Sequence, residues 1–226
     1  MSPRCCSPPA SEYGRFFNRR VARIWLRRYR RRGLARTARA LVARAGDVSG
    51  ASVLEVGGGL GTIGLELLDR GAARVTNVEL STGFEAAAAE LLAERGLGDR
   101  VERRVADFVL LADEIPRHDV VVLHRVVCCY PDAGSLVAAA AARAGRLLLL
   151  TYPLERRLTR LGFRVANAWL WLRRCGFRTF VHPVAVIVAA AEEQGLALEA
   201  REQRGLAWEN AAFARPAEPS PTSVPG

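Results

Sequence analysis

One stretch decides the fold class of this chain: residues 53–61, Val53-Leu54-Glu55-Val56-Gly57-Gly58-Gly59-Leu60-Gly61. An apolar run ends directly at a cluster of glycines, and a helical pattern begins at Thr62. Glycine lacks a Cβ atom, so it adopts left-handed backbone conformations freely and lets a ligand approach the chain closely. A buried strand that turns on glycines into a helix is typical of an open parallel sheet, whose ligand crevice lies at the carboxyl ends of the strands.

The rest of the chain alternates strand and helix patterns around this turn. Short apolar runs predict parallel strands, and most of the helical stretches between them close at a glycine. After the fifth strand, two strand patterns flank Arg204-Gly205 and predict a hairpin. We therefore predict an α/β, doubly wound, Rossmann-like sheet that is mostly parallel and ends in a C-terminal antiparallel hairpin. The predicted strands are 52–56, 74–80, 100–106, 119–123, 146–151, 196–203 and 206–214.

The predicted domain organisation is one domain with extensions at both ends. Residues 1–11 and 216–226 are predicted as disordered tails, and 48–215 as the α/β domain. Residues 12–47 predict a basic, amphipathic helical cap, with a first helix ending at Gly33. Seven apolar side chains are expected to share one face of that helix: Tyr13, Phe16, Phe17, Val21, Ile24, Trp25 and Tyr29.

The composition narrows the class of protein. The chain has 226 residues and a net charge of +10, and every basic residue is Arg, which indicates a genome-wide bias more than a particular partner. The five cysteines include no C-x-x-C pair, so neither a disulfide framework nor a metal site is expected. Without a secretory signal or an apolar run of roughly 18 residues, a cytoplasmic location is the default expectation.

Arginines crowd the first fifth of the chain, and this leaves three interpretations of the helical cap. The aromatic face packs over the core or the ligand site while the arginines are solvated. Alternatively, the N-terminal basic helix makes peripheral contact with an anionic membrane. RNA binding is the third interpretation, and it is disfavoured because no RNA-binding fold accompanies the basic residues.

The glycine turn fits two cofactors. Gly59, Gly61 and Gly64 also spell G-x-G-x-x-G, the dinucleotide fingerprint, and Glu79 ends the next strand where a ribose-binding acid would lie. An NAD(P)-dependent oxidoreductase is therefore one hypothesis.

Three features favour S-adenosylmethionine instead. Glu55 lies two residues before the first glycine, where a carboxylate stabilises a cationic sulfonium and ammonium group but not a pyrophosphate. Asp107 follows the third strand, where it can accept a hydrogen bond from an adenine amino group. The sheet also ends in a hairpin and not in a second βαβαβ half.

Residues 53–61 resemble the cofactor-binding motif of class I S-adenosylmethionine-dependent methyltransferases. The resemblance implies that Glu79 binds both ribose hydroxyls and that Asp107, with Phe108, lies beside the adenine. It further implies cofactor binding by Glu55 and by the glycines Gly57, Gly58, Gly59 and Gly61. The motif departs from its commonest form in having Glu55 in place of Asp and Gly58 as an extra glycine.

Two further segments, 123–132 and 180–183, resemble an actinobacterial group of methyltransferases of unassigned substrate. That group is similar in general layout to magnesium-protoporphyrin O-methyltransferases. The expected function is methyl transfer from S-adenosylmethionine to a small organic acceptor, with a non-catalytic or membrane-peripheral binding protein as a further alternative.

His124 and Tyr130 are the candidate catalytic residues, because they follow the fourth strand at the expected acceptor side. The ordinary pKa of His124, about 6.5, suits a general base. Capping the strand is the competing interpretation for His124, and packing beneath the next helix is the one for Tyr130.

Candidate acceptor-binding residues are His182, at a predicted helix start, and Trp169, in the helical stretch 154–178. Core packing competes with a substrate role for Trp169. Cys128 and Cys129 are expected as small core residues. His118 is expected to be solvated.

Overall fold

The computed structural model describes residues 10–216. The predicted tails fall almost wholly outside this range. Ala10 and Ser11, at the end of the first predicted tail, already belong to a helix.

Seven strands form one sheet in the order β3-β2-β1-β4-β5-β7-β6. All neighbours are parallel except β7, which is antiparallel to both β5 and β6. The prediction of a mostly parallel sheet with a C-terminal hairpin is therefore confirmed. The strands are β1 Ser52–Val56, β2 Arg74–Glu79, β3 Val101–Val105, β4 His118–His124, β5 Ala144–Pro153, β6 Ala197–Arg204 and β7 Trp208–Ala214.

Helices cover both faces of this sheet. They are α1 Ala10–Phe16, α2 Arg19–Arg32, α3 Arg36–Arg44, α4 Thr62–Asp69, α5 Glu85–Arg95, α6 Phe108–Leu111, α7 Ala133–Arg143, α8 Arg157–Leu172 and α9 Val184–Glu192. One hydrophobic cluster joins α7 and α9 to alternate strand residues such as Leu54 and Val121. A second cluster joins helices α2, α3, α4 and α5 to the strand residues that point to the other face of the sheet, such as Val53 and Val120. Burial on both faces explains why the central strands are uninterrupted apolar runs.

The order of the strands positions the site. The chain runs from β1 outward to β3, then returns to β4 on the other side of β1. Helices connect the strands on both faces, so a crevice opens at the carboxyl ends of β1 and β4, where the direction of winding changes. The glycine turn that follows β1 lies at this edge.

The N-terminal region differs from the single helix predicted up to Gly33. Asn18 interrupts it: its side-chain Oδ1 accepts hydrogen bonds from the backbone N–H groups of Arg20 (2.9 Å) and Val21 (3.3 Å) and begins α2. This is the ordinary action of an N-cap residue. Because the helix restarts, the predicted face is not kept: α2 buries Ala22 and Leu26, while Ile24 is 60% exposed.

His118 also differs from its prediction. It is the first residue of β4 and is buried, with Nε2 3.0 Å from Oγ1 of Thr76 and Nδ1 2.8 Å from the carbonyl oxygen of Pro116. The expectation that it is solvated is wrong, because β4 begins one residue earlier than predicted. Burial lowers the pKa of its imidazole.

Candidate active site

A cavity of about 610 Å³ lies over the carboxyl ends of β1, β2 and β4. Its volume is within the roughly 300–1,000 Å³ common for small-molecule sites. Most of the predicted cofactor and catalytic residues line it: Glu55, Gly57, Gly58, Gly59, Glu79, Asp107, Phe108, His124 and Tyr130. Gly61 is the N-cap of α4 and is not among the residues that line the cavity.

Glycine is required at several positions of the loop for two different reasons. Gly57, Gly59 and Gly61 have φ of 61°, 57° and 79°, in the left-handed region that side chains rarely adopt. Gly58 has no such φ, but a Cβ atom there would lie 2.2 Å from Nδ2 of Asn77 and 2.6 Å from Cδ of Glu55. The extra glycine of this motif therefore leaves room for two side chains packed beneath the loop.

Glu55 is the residue that supports the loop from below. It lies opposite Asn77 in the parallel pairing of β1 with β2 and is only 2% exposed. Its Oε2 accepts hydrogen bonds from the Gly64 N–H (2.9 Å) and from Nδ2 of Asn77 (3.4 Å). Burial raises the pKa of Glu55 to about 7, against the opposing effect of the Gly64 N–H and Arg103. The carboxyl thus ties β1 to the start of α4, and its negative charge near neutrality depends on pH.

Glu79 has an arrangement that fits a pair of hydroxyl groups. Its Oε2 accepts the Gly59 N–H and its Oε1 accepts the Ser81 N–H, both at 2.9 Å. Each carboxylate oxygen has a second lone pair, so two further donors can be accepted. Burial raises the pKa of this carboxyl, and the two backbone N–H groups oppose the shift.

Asp107 and Tyr130 form a pair in the part of the cavity that lies next to the end of β3. Oδ1 of Asp107 accepts the Val109 N–H (3.0 Å) and caps α6. The Tyr130 hydroxyl lies 3.3 Å from both carboxylate oxygens of Asp107. Phe108 is buried in the core while also lining the cavity. Tyr130 therefore braces the acid that is expected beside the adenine.

His124 is held by the N-terminal cap. Its Nε2 lies 2.8 Å from Oγ1 of Thr37, at the start of α3. Burial, together with the neighbouring charge of Arg125, lowers the pKa of His124 to about 3. The ring is neutral at ordinary pH but weakly basic, so the argument for a general base from its ordinary pKa does not hold.

The structure does not bring His182 and Trp169 to the cavity. Nε2 of His182 lies 2.9 Å from the carbonyl oxygen of Tyr130, and its ring stacks on Phe180. His182 therefore supports the loop that carries Tyr130. Trp169 lies on α8, about half exposed, beneath the guanidinium of Arg173. Cys128 and Cys129 are buried in a small cluster with Leu170 and Phe177, as expected for core residues.

The N-terminal helices supply cavity residues that the sequence did not identify as site residues. Tyr13, Phe17 and Trp25 line the cavity, and the rings of Phe17 and Trp25 pack on Phe84. Burial raises the pKa of Tyr13 well above its ordinary value, and the nearby Cys129 and Glu79 add to this. Only the tertiary fold brings these helices over the glycine loop, although their aromatic content was visible in the sequence.

Four arginines line the same cavity: Arg28, Arg36, Arg125 and Arg204. Arg125 follows His124 directly and has a φ of 59°, unusual for a residue with a side chain. Its guanidinium carbon lies 4.3 Å from the centre of the Trp208 ring. Burial, and then the nearby charge of Arg28, lower its pKa. Arg125 follows β4, on the opposite side of β1 from Glu79 and Asp107, so the cavity is basic on the β4 side and acidic on the side of β2 and β3.

Residues 53–148 match the family described as a methyltransferase domain. This range begins at β1 and ends within β5, so it contains the glycine loop, Glu79 and Asp107. No curated protein sequence matches the chain.

Solved structures with a similar fold include two methyltransferases and one cyclase. Magnesium protoporphyrin IX methyltransferase from Synechocystis with bound S-adenosylhomocysteine is 20% identical, with a TM-score of 0.64 over 80% of this chain and 82% of its own. An O-methyltransferase family 2 protein from Planctomyces limnophilus in complex with apigenin is 19% identical, with a TM-score of 0.65 over 86% of this chain and 61% of its own. The [4+2]-cyclase SpnF is 15% identical, with a TM-score of 0.62 over 81% of each chain.

At these identities the likeness establishes the fold alone, and the domain match carries the activity. It also removes the support for a nicotinamide cofactor, since the G-x-G-x-x-G spelling lies inside the matched methyltransferase domain. S-adenosylmethionine fits the glycine loop and the two acids beside it, Glu79 at the end of β2 and Asp107 after β3, in residue type and position. Residues 53–148 are thus a methyltransferase domain, and the fold that carries it is that of solved methyltransferases with bound S-adenosylmethionine or S-adenosylhomocysteine.

Proposed function

We propose that this enzyme methylates a small organic acceptor that binds at the basic end of the cavity. The observation that carries the proposal is the continuity of one cavity from Glu79 and Asp107, at one end, to Arg28 and Arg125, at the other. Such a cavity can hold a cofactor at its acidic end and an acceptor at its basic end at the same time. The membership of the actinobacterial group stays a prediction.

The roles proposed for individual residues follow from their contacts. Glu79 accepts hydrogen bonds from the ribose hydroxyls, Asp107 and Phe108 contact the adenine, and the glycine loop lies against the methionine part. Glu55 holds that loop in place through Gly64. S-adenosylmethionine supplies a methyl group already activated by the sulfonium, so the protein mainly has to align the acceptor with it.

His124 is proposed as a positioning residue for the acceptor. A neutral imidazole whose Nε2 is engaged by Thr37 holds a defined orientation at the wall of the cavity. Tyr130 acts through Asp107 in this proposal. The chain's own groups therefore orient the reactants, and the acceptor must supply a nucleophilic atom that needs little help in losing a proton.

The charge at the acceptor end favours an acceptor with an acidic group. Arg125 forms no ion pair with an acid anywhere in residues 10–216. The same holds for Arg28, which is close enough to lower the pKa of Arg125. A carboxylate or phosphate on the acceptor would relieve the repulsion between these two cations and form charge-assisted hydrogen bonds.

Incubation with isotopically labelled S-adenosylmethionine tests this proposal. A small-molecule extract is first divided by anion exchange, and each fraction is offered to the wild-type enzyme. We expect labelled product from the retained, anionic fraction, a large loss with Glu79→Ala, and a loss with Arg125→Gln at unchanged cofactor affinity. Arg174→Gln is the matched control, because Arg174 also has a left-handed φ but does not line the cavity. Labelled product that appears only in the fraction not retained by the anion exchanger, or in no fraction, would contradict the proposal.

Cytoplasmic location stays a prediction, which cell fractionation tests. Peripheral membrane contact through the N-terminal basic helix has less support from the geometry. Trp25 and Tyr29 of α2 line the cavity, and Arg30 pairs with Glu90 and Glu94 on α5. Of the large apolar side chains of α2, Ile24 and Trp25 are exposed, at 60% and 45%, and they are too few to form an apolar face along the helix.

A further inference from the structure

Helix α8 exposes a row of large apolar side chains. Leu158, Leu161, Val165, Trp169 and Leu172 are 82%, 57%, 62%, 52% and 73% exposed. Their spacing of three and four residues places them along one face of the helix. A surface helix normally turns such a stripe toward the core. We call these five residues the α8 apolar face.

The opposite side of α8 attaches the helix to the protein. Leu170 is buried, and the ring of Phe163 packs 6.3 Å from that of Trp208. The side chain of Asn167 makes two hydrogen bonds with the backbone of Thr179. Its Nδ2 donates to the Thr179 carbonyl oxygen (2.7 Å), and its Oδ1 accepts from the Thr179 N–H (2.8 Å). The α8 apolar face thus contributes little to holding the helix, and the packing of the core leaves its presence unexplained.

The surroundings of this face are strongly basic. Residues 156–191 contain seven arginines and no acid: Arg156, Arg157, Arg160, Arg164, Arg173, Arg174 and Arg178. Arg160 pairs with Glu155, just outside this segment, and Arg173 lies over the Trp169 ring. An apolar stripe with tryptophan, flanked by arginines, has the composition of a helix that lies in the plane of a membrane interface.

We propose that the α8 apolar face binds the surface of a bilayer that contains anionic lipids. A second copy of the chain fits less well, since a symmetric pairing would place this acid-free basic segment against itself. Anionic headgroups attract the arginines, while the apolar side chains enter the boundary between headgroups and acyl chains. No helix within residues 10–216 combines the length and apolar character needed to cross a membrane, so the contact is a surface contact.

Vesicle sedimentation tests the proposal on the full chain saturated with S-adenosylhomocysteine. Vesicles of phosphatidylcholine alone are compared with vesicles that contain an equal amount of phosphatidylglycerol, at low and high salt. We expect binding to the anionic vesicles only, weakened by salt. The variant Leu158→Gln/Leu161→Gln/Val165→Gln should bind at least about tenfold more weakly. Its three substituted side chains no longer transfer apolar surface from water into the membrane. Its affinity for S-adenosylhomocysteine should be unchanged, which shows that it folds.

Two matched variants separate this face from the N-terminal helix. Ile24→Gln/Leu110→Gln removes exposed apolar side chains elsewhere and should bind vesicles like the wild type. Arg157→Gln/Arg164→Gln should weaken binding more than Arg19→Gln/Arg27→Gln, which removes two charges from α2. The proposal is overturned if the wild type stays in the supernatant with both vesicles, or if the triple variant binds as well as the wild type. A wild-type dimer that the triple variant converts to a monomer, with no vesicle binding by either, would assign the face to a second copy instead.

Discussion

A single carboxyl group organises the cofactor loop. Glu55 lies beneath the glycines, accepts the Gly64 N–H at the start of α4, and contacts Asn77 of the neighbouring strand. The sequence indicated an acid at this position and explained it by attraction to a cationic cofactor. The structure adds a second role, because the same carboxyl joins β1, β2 and α4. Position 58 must therefore be glycine, since any side chain there would occupy the space that Glu55 and Asn77 fill.

Replacing Gly58 with alanine should therefore damage the site. The new Cβ atom would lie 2.2 Å from Nδ2 of the buried Asn77, so Asn77 or the loop must move. We expect a loss of about 1–3 kcal/mol in the free energy of unfolding, as for other overpacked positions. Binding of S-adenosylhomocysteine should weaken as well. Chemical denaturation and calorimetry measure the two effects.

Gly98→Ala is the control for this substitution. A Cβ atom at Gly98 would have no neighbour within 4 Å, and its φ lies outside the left-handed region. This variant should match the wild type in both measurements. Equal behaviour of the Gly58 and Gly98 variants would show that the loop tolerates a side chain at position 58.

The stability of the cofactor-free protein should depend on the ionisation of Glu55. Burial raises its pKa from 4.5 to about 7, so the folded state favours the protonated form. Below about pH 4.5 the ionisation of Glu55 therefore does not reduce the free energy of unfolding. Between about pH 4.5 and 7 the reduction grows with pH, and above about pH 7 it stays constant. The full cost is on the order of 3 kcal/mol.

Denaturation curves of the wild type and Glu55→Gln between these pH values test this expectation. The difference in the free energy of unfolding, variant minus wild type, should rise with pH from 4.5 to 7 and then level off, because the amide cannot ionise. Glu94→Gln, an exposed acid on α5, is the comparison. A difference that stays flat for Glu55→Gln would mean that its carboxyl is ionised throughout this range.

At the scale of helices and strands, the sequence predicted what local pattern controls. β1 was predicted at its observed bounds, because a doubly covered strand is an apolar run and the glycines end it sharply. The hairpin β6–β7 was recognised from the turn at Gly205. The break at Asn18 was not predicted, because the aromatic spacing continues across it. What begins a new helix there is the pair of hydrogen bonds from backbone N–H groups to the Asn18 side chain.

The acceptor end was predicted less well, for a physical reason. His182 and Trp169 were chosen by residue type and by their place in the sequence, but their contacts are made by tertiary packing that no local pattern encodes. Thr37, Arg125 and Trp25 come together at the cavity from α3, the end of β4 and α2. Their convergence depends on how the N-terminal helices cross the sheet, and the pKa of His124 depends on the burial that results.

The whole molecule separates its charges across the cavity. The acids at the ends of β2 and β3 lie on one side of the point where the winding reverses, and Arg125, after β4, and Arg204, the last residue of β6, lie on the other. The N-terminal helices close over both through Tyr13, Phe17 and Trp25. A ligand that occupies the acidic side should therefore stabilise the sheet and the helical cap together as one cooperative unit.

Thermal unfolding with two competing ligands tests this at the scale of the molecule. S-adenosylhomocysteine at about 100 times its dissociation constant should stabilise the protein by about 2.7 kcal/mol. NAD(P) at the same concentration should produce no shift above about pH 7, where Glu55 is ionised and places negative charge close to where a pyrophosphate would lie. Glu79→Ala should lose most of the shift with S-adenosylhomocysteine, while Glu94→Gln should keep it. Stabilisation by the dinucleotide alone would contradict the assignment of the cavity, since it would mean that the glycine loop accepts a pyrophosphate despite the acid beneath it.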